Sequence, residues 1–176
     1  MLCVQGVWII TSPFPLVEWF IMQFKTDKLV GFIINTSAVV IFLVQIFGVP
    51  IFPLPHTSFD IPMTLLGLIL SLLGASLAIW ARVTMGKIWG LPKQHDFKRQ
   101  NKLIVNGPYE YTRNPIYVGL IIIYIGFELT LHSFLILAVL IPVIKFYQAI
   151  ITEEKLLVKY FGKNYLLYKA KVPRII

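Results

Sequence analysis

Between Asn106 and Tyr117 the chain places three tyrosines, two prolines and one arginine directly ahead of a long apolar run. Tyrosine faces attract cations, and tyrosine hydroxyls both donate and accept hydrogen bonds. Gly107-Pro108 bends the backbone so that its amides can meet a polar ligand, and Asn114-Pro115 can start a helix. A second chemical feature is the adjacent pair Glu153-Glu154, which closes the last apolar run. Acids at a membrane border are costly unless solvated or paired. Two readings are open for them. They form a solvated helix surface beside Lys155, or one carboxylate holds a cationic ligand group while the other faces water. Neighbours on a helix point roughly 100° apart, so the two should not share one task. Gln94, His95 and Asp96 add polar groups in the connection upstream. Taken singly, each candidate also has a plain structural role. His95 is a solvated loop histidine, Arg113 snorkels to headgroups, and Asn114-Pro115 is a helix cap followed by a first-turn proline.

The elements that must position these groups are membrane elements. Of 176 residues, 57% are hydrophobic and only 14% charged, and mean hydropathy is +0.78. A soluble domain is roughly 45–50% apolar and about 25% charged. The length suits one compact bundle, a single domain over residues 1–176. Leu29 to Phe47 and Met63 to Ala81 are long enough to cross a hydrocarbon core of about 30 Å. Along the second, Gly67, Ser71, Gly74 and Ala78 make a thin face for close helix packing. Ile116 to Leu129 and Phe134 to Ile151 form a hairpin of two further apolar runs. The first of them reaches only about 21 Å as a helix, so the hairpin is tilted or stops short of the far headgroups. Leu2 to Phe24, broken by Ser12-Pro13-Phe14-Pro15, is either an interrupted span or an interfacial helix. The expected fold is therefore all-α, a polytopic bundle of four to five spans. A helix from the last run should continue to about Tyr160 and stop at Phe161-Gly162. Tyr165, Tyr168 and Val172 then keep helical spacing in a short final amphipathic piece.

Formal net charge is +8. The basic residues fall before the first clear span, in the long middle connection with its borders, and in the C-terminal part. The connection from Gly48 to Pro62 and the hairpin tip have none. This alternation puts the middle connection and the tail on the cytoplasmic side, where both can also meet anionic headgroups. Topology accounts for the charge without nucleic acid. Trp8, Trp19, Trp80 and Trp89 fit an aromatic belt. Cys3 is the only cysteine, and His56, His95 and His132 lie in separate connections, so no metal site is expected. The first residues lack a basic n-region, so no cleavable signal peptide is expected.

Three motifs in order carry a resemblance. They are Trp80-Ala81-Arg82-x-x-x-Gly86-x-x-Trp89, then Gly107-Pro108-Tyr109-x-Tyr111-x-Arg113-Asn114-Pro115-x-Tyr117-x-Gly119, and, after the hairpin and Glu153-Glu154, Tyr160-Phe161-Gly162-x-x-Tyr165-x-x-Tyr168-x-x-x-Val172-Pro173-Arg174. Together they resemble the isoprenylcysteine carboxyl methyltransferases, relatives of the phospholipid N-methyltransferases, from about Met63 to the end. The resemblance implies a catalytic core over 63–176 behind variable N-terminal spans over 1–62. It also implies an integral membrane enzyme using S-adenosylmethionine. The cofactor would be enclosed on the cytoplasmic side by the middle connection, the hairpin base and the C-terminal helix. Carried over by position, Gln94, Asn101, Lys102, Leu103, Ile104, Tyr109, Asn114, Pro115, Ile116, Tyr117 and Glu153 would contact the cofactor, and Arg113, Glu154 and His95 would be the catalytic candidates. Many family members have histidine where Asn114 stands. The arginine that prenylcysteine enzymes carry one turn before the glutamates is Ala149 here.

The implied acceptor is a lipid or a prenylated, lipid-linked small molecule reached from the bilayer. A carboxylate acceptor needs no base. An amine must lose a proton, to His95 or to a glutamate. A second reading is an NADPH-dependent membrane steroid or lipid reductase, whose Tyr-rich turn and Tyr-x-x-x-Val-Pro ending are similar. In those enzymes an acidic residue follows Asn-Tyr after the proline, and Ile116-Tyr117-Val118 breaks that pattern. A third reading is a membrane scaffold without chemistry.

Overall fold

A computed structural model describes residues 40–47, 49, 51–86 and 102–175. The segment Leu2 to Phe24, most of the run Leu29 to Phe47, three of the four tryptophans, and Gln94, His95 and Asn101 lie outside the described residues. Within them the chain is helical or irregular, with no strand beyond an isolated bridge between Pro53 and Ser133.

Helix α1 is Asp60–Met85, 26 residues. Asp60 opens it, where negative charge suits the helix dipole, and its carboxylate accepts from the Thr57 backbone N–H at 2.9 Å. Helix α2, Pro115–Thr130, starts on a proline whose missing N–H costs nothing at that position. The two helices run antiparallel, and the small-residue stripe is where they meet. A Cβ on Gly74 would lie 2.7 Å from the Gly119 carbonyl oxygen. One on Gly126 would lie 2.6 Å from the Gly67 oxygen and the Ser71 amide nitrogen. Glycines seven residues apart on each helix thus form two layers of backbone-to-backbone contact. Ala78 packs against Gly119 and Ile123 against Gly74, and both are flanked by Ala75, Ile79 and Leu120.

Among the described residues, Asp60–Met85 and the stretch Phe134–Phe161 are the two helical segments long and apolar enough to cross a membrane by length and composition; α2 is shorter. Phe134–Phe161 is not one uniform helix, as the apolar run would suggest. Residues Phe134–Val139 form a 3-10 helix, and α3 proper is Leu140–Phe161. Pro142 has no N–H to give the Ala138 carbonyl, which favours a change of winding there. Tyr124 reinforces it by donating to the Leu135 carbonyl at 2.7 Å. Gly162, at φ 48°, ends α3 as expected, and α4, Lys163–Lys171, follows at once. Its inward face carries the buried Tyr165 and Tyr168.

The tip joining α2 to the 3-10 segment is tied to the connection before α1. Leu54 N–H donates to the His132 carbonyl at 2.6 Å, and Phe134 N–H to Phe52. The His132 ring meets the Thr64 hydroxyl at 2.8 Å. Glu128, within the run taken as apolar, is buried and accepts from Gln45 Nε2 at 3.0 Å. Residues 40–46 are helical, and the Phe42 and Phe127 rings also meet, with centroids 5.2 Å apart. A buried carboxyl in α2 is thereby matched by a polar partner from the preceding segment.

The glycine layers make a direct prediction. Gly126→Val should destabilise the helix pair by about 1–3 kcal/mol, the ordinary range for overpacking, measured as detergent-phase unfolding. Ser76→Ala, on the exposed face of α1, should leave stability nearly unchanged.

Candidate functional site

The C-terminal end of α1, the N-terminal end of α2, the C-terminal end of α3 and all of α4 come together at one end of the molecule. Gly107 starts the connecting turn. Its φ of +62° is the left-handed region that glycine tolerates, and a Cβ there would stand 3.1 Å from the Thr84 hydroxyl. A 3-10 turn, Gly107–Glu110, then drives Tyr109 inward until it is 5% exposed. Tyr168 of α4 fixes this turn by donating its hydroxyl to the Tyr109 carbonyl at 2.7 Å.

Two clusters follow from the two glutamates. Tyr117, in the first turn of α2, donates its hydroxyl to Glu153 Oε1 at 2.5 Å, and its ring lies 5.1 Å from that of Phe146. Tyr109 is the third member of this inner cluster. Its hydroxyl is buried and has no hydrogen-bond partner among the described residues. Burial pushes that hydroxyl above the ordinary tyrosine value. The charges of Tyr168 and Glu153 push the same way, against Arg82. At neutral pH Tyr109 is therefore a neutral donor beside a carboxylate. Arg82 is also buried, and donates Nη1 to the Gly86 carbonyl at 2.6 Å.

Glu154 turns the other way and is 6% exposed. Arg113 Nη1 lies 2.8 Å from Oε1, and Arg174 grips both oxygens, through Nε at 3.0 Å and Nη2 at 2.8 Å. Lys169 stands 3.7 Å away. Hydrogen bonding to Glu154 raises the Arg174 guanidinium further. Arg174 also donates to the Tyr147 hydroxyl at 3.0 Å and lies over its ring. The backbone of the tail is held as firmly. Pro173 O accepts from Arg113 N–H at 3.0 Å, and Arg174 O accepts from Asn114 Nδ2 at 2.9 Å and from the Thr112 hydroxyl at 3.2 Å.

Several expectations change on this geometry. Neither glutamate is a free solvated acid beside Lys155, and neither simply faces water; each has its own partner, in keeping with their 100° divergence. Arg113 does not snorkel. Its side chain is 7% exposed and is paired with Glu154. Asn114 occupies the cap position but makes no side-chain cap bond, and its Nδ2 donates to Arg174 O. Of the cofactor candidates, the structure joins Tyr109, Tyr117 and Glu153. Asn114 joins Arg113 and Glu154 in the tail cluster, and Pro115 is buried as the first residue of α2. Ile116 is partly buried between Pro115 and Tyr117, and Lys102, Leu103 and Ile104 lead into the turn, Lys102 exposed and the other two partly buried. Next to them an open groove of about 450 Å³ is lined by Val105, Glu110, Leu167, Tyr168, Lys171 and Val172. Residue-level reasoning assigned no site role to Arg82, Tyr168 or Arg174. All three stand inside the quoted motifs, which is the signal that pointed to them. Among the described residues no group of acids, histidines or cysteines could hold a metal.

The described residues thus combine helices of membrane-spanning length, a tyrosine–carboxylate cluster and a basic tail locked onto the same end. Residues 62–164 match the phospholipid methyltransferase family, and the chain belongs to that family. It is 32% identical over 113 residues to protein-S-isoprenylcysteine O-methyltransferase of Xenopus laevis, covering 63% of this chain and 39% of that protein. The protein of the same name from Schizosaccharomyces pombe is 39% identical over 77 residues, 43% of this chain and 33% of the relative. That from Saccharomyces cerevisiae is 33% identical over 111 residues, 62% of this chain and 46% of the relative. The match spans less than half the length of each relative. All three are methyltransferases, and the reductase reading is set aside on that ground.

The tail cluster carries a prediction. Removing one partner of a buried ion pair costs about 3–5 kcal/mol. Glu154→Gln should lower thermal stability by an amount of that order and expose the residues after Phe161 to limited proteolysis. Arg174→Ala should do the same more weakly, because Arg174 is 30% exposed and Arg113 still neutralises the carboxylate.

Proposed function

We propose that this protein is a multi-pass membrane methyltransferase that takes its methyl group from S-adenosylmethionine and passes it to a lipid or lipid-linked acceptor. The observation that carries this reading is the inner cluster, in which Tyr117 and Glu153, 36 residues apart in sequence, share a hydrogen bond beside the buried Tyr109 hydroxyl, which has no partner among the described residues. The donor set fits the cofactor: a carboxylate for a cationic part, aromatic faces for a sulfonium, and one buried donor for a polar edge. Bound, the cofactor would supply an electrophilic methyl group, which an acceptor approaching in line takes as the thioether S-adenosylhomocysteine leaves.

This chain's residues then have separable tasks. Glu153 attracts positive charge at a low-dielectric border, where Coulomb attraction is larger than in water. Tyr117 aims that carboxylate through its hydroxyl bond. Tyr109 offers a neutral hydroxyl from the turn, and the rings of Tyr117 and Phe146 can add cation–π attraction of about 0.5–2 kcal/mol. Holding two reactants in line supplies much of the rate gain in such a displacement. Arg113 and Glu154, assigned to each other, act by positioning the turn and the tail. Of the remaining candidates, Asn114, Pro115 and Ile116 shape the start of α2, and Gln94, Asn101, Lys102, Leu103 and Ile104 belong to the connection that would close over the cofactor. His95 is the candidate base for an amine acceptor.

The three relatives are named for isoprenylcysteine, so an isoprenylcysteine-like carboxylate is one acceptor class; Ala149, standing where that class has arginine, leaves a lipid amine as the other. The architecture proposed is a single unit of four to five spans over 1–176, with 1–62 as the variable part and the site on the cytoplasmic side. The family match over 62–164 supports that division. The absence of Lys and Arg between Gly48 and Pro62 and at the hairpin tip supports the orientation.

Purified protein should bind S-adenosylmethionine and transfer a radiolabelled methyl group to an extract of total membrane lipid. S-adenosylhomocysteine, not NADPH, should raise its melting temperature. Glu153→Gln and Tyr117→Phe should each weaken cofactor binding about tenfold or more by calorimetry, equivalent to about 1.4 kcal/mol, with the fold intact by circular dichroism. Wild-type affinity in both variants would remove the inner cluster from the site, and no binding by folded wild-type protein would end the proposal.

A further inference from the structure

The surface of α4 that faces away from the protein has a composition of its own. Tyr165 and Tyr168 point inward. At about 100° per residue, Leu166, Ala170 and Leu167 occupy an arc on the opposite side together with Lys163 at the helix start, and Lys169 and Lys171 fall on its two borders. Leu166 is 51% and Leu167 54% exposed, Lys163, Lys169 and Lys171 are exposed, and Ile175 at the tail adds a further exposed apolar group. From Lys155 to Ile175 there are five lysines and one arginine and no acidic residue. Glu153 is committed to Tyr117 and Glu154 to Arg113 and Arg174; Glu154 also stands 3.7 Å from Lys169 and offsets part of its charge, which leaves Lys155, Lys159, Lys163 and Lys171 as the outward charges. Lys155 and Lys159 extend the exposed positive charge up the last turns of α3, beside an exposed Tyr160.

We infer that α4 is an interfacial element that lies on the bilayer with Leu166 and Leu167 among the upper acyl carbons and its lysines on anionic lipid headgroups. The inference rests on the reading that α1 and α3 cross that bilayer. A solvent-facing helix of nine residues gains nothing from two adjacent exposed leucines. At the end of a membrane span the same leucines are covered by lipid, and flanking lysines reach phosphates by extending their stems. Charge complementarity selects the lipid: a helix that carries lysines and no acid of its own, with Glu110 of the neighbouring turn as one offsetting charge beside Lys171, matches a leaflet rich in anionic headgroups. The consequence reaches the site. The inward face of α4 holds the Tyr109 turn through Tyr168, so a helix pressed onto an anionic leaflet carries the candidate site to the depth of the headgroups.

Spin-label depth measurements on the full-length protein in lipid nanodiscs test this. With Cys3 replaced (Cys3→Ser), one nitroxide is placed at Leu166→Cys, and in a separate sample at Ile141→Cys on α3. The discs contain phosphatidylcholine with or without phosphatidylglycerol. Collision with oxygen is compared with collision with a water-soluble nickel chelate. The Ile141 label should favour oxygen in both discs. The Leu166 label should show a several-fold rise in oxygen preference when phosphatidylglycerol is present, and Lys163→Glu with Lys171→Glu should abolish that rise. An Ile141 label in hydrocarbon with a Leu166 label open to nickel in both discs would overturn the inference and leave the membrane reading standing. Equal burial of the Leu166 label in both discs would overturn the anionic preference. An Ile141 label open to nickel would overturn the membrane reading and the inference with it.

Discussion

A carboxylate withdrawn from water has to be matched, and the structure at the site end follows from how Glu154 is matched. Its two oxygens take the guanidinium of Arg174 edge-on and that of Arg113 at one corner. Arg113 belongs to the turn before α2, and Arg174 to the last residues of the chain. One acid therefore ties three distant segments to a common point. Two guanidiniums around a single carboxylate would repel one another if the acid were lost, so the geometry depends on the charge as well as on the hydrogen bonds.

The neighbour in sequence receives its environment from the same arrangement. With Glu154 turned towards the tail, helical geometry turns Glu153 towards α2, where Tyr117 meets it. The tail's carbonyls occupy the Asn114 amide and the Arg113 N–H, and so hold the first residues of α2 in register with α3. Methyl transfer by displacement asks for positioning more than for acid–base power. A site in which paired charges fix the frame, while one carboxylate and one tyrosine hydroxyl remain for a ligand, suits that demand.

The frame also needs a rigid base, and α1 with α2 provides it. In a membrane, helix association relies on close packing in place of a hydrophobic driving force. The double glycine layer brings the two backbones into contact and leaves little freedom for sliding. At the far end the His132–Thr64 contact, the Gln45–Glu128 bond and the tip's backbone bonds close the hairpin. Polar interactions are thus concentrated at the two ends, with apolar packing between them.

Much of this was legible in the residues. The small-residue stripe on α1, the proline start of α2, the glycine stop at Gly162 and the inward tyrosines of α4 are local or periodic signals, and periodicity alone places them. The resemblance brought Tyr109, Tyr117 and Glu153 into one proposed site before any geometry. Partner choice was not legible. Arg113 was open to snorkelling and Asn114 to capping because both roles satisfy the residue locally. Only the return of the chain at Pro173-Arg174 supplies the competing carbonyls and the second guanidinium. Glu128 was hidden in an apolar run because its partner, Gln45, lies 83 residues away. Sequence by itself determined where α1, α2 and α4 run, which face of α1 is thin and where charge accumulates, since these depend on neighbours three or four residues apart. Tertiary structure alone decided which buried charge meets which, because that choice is made between segments whose separation in space no local pattern encodes.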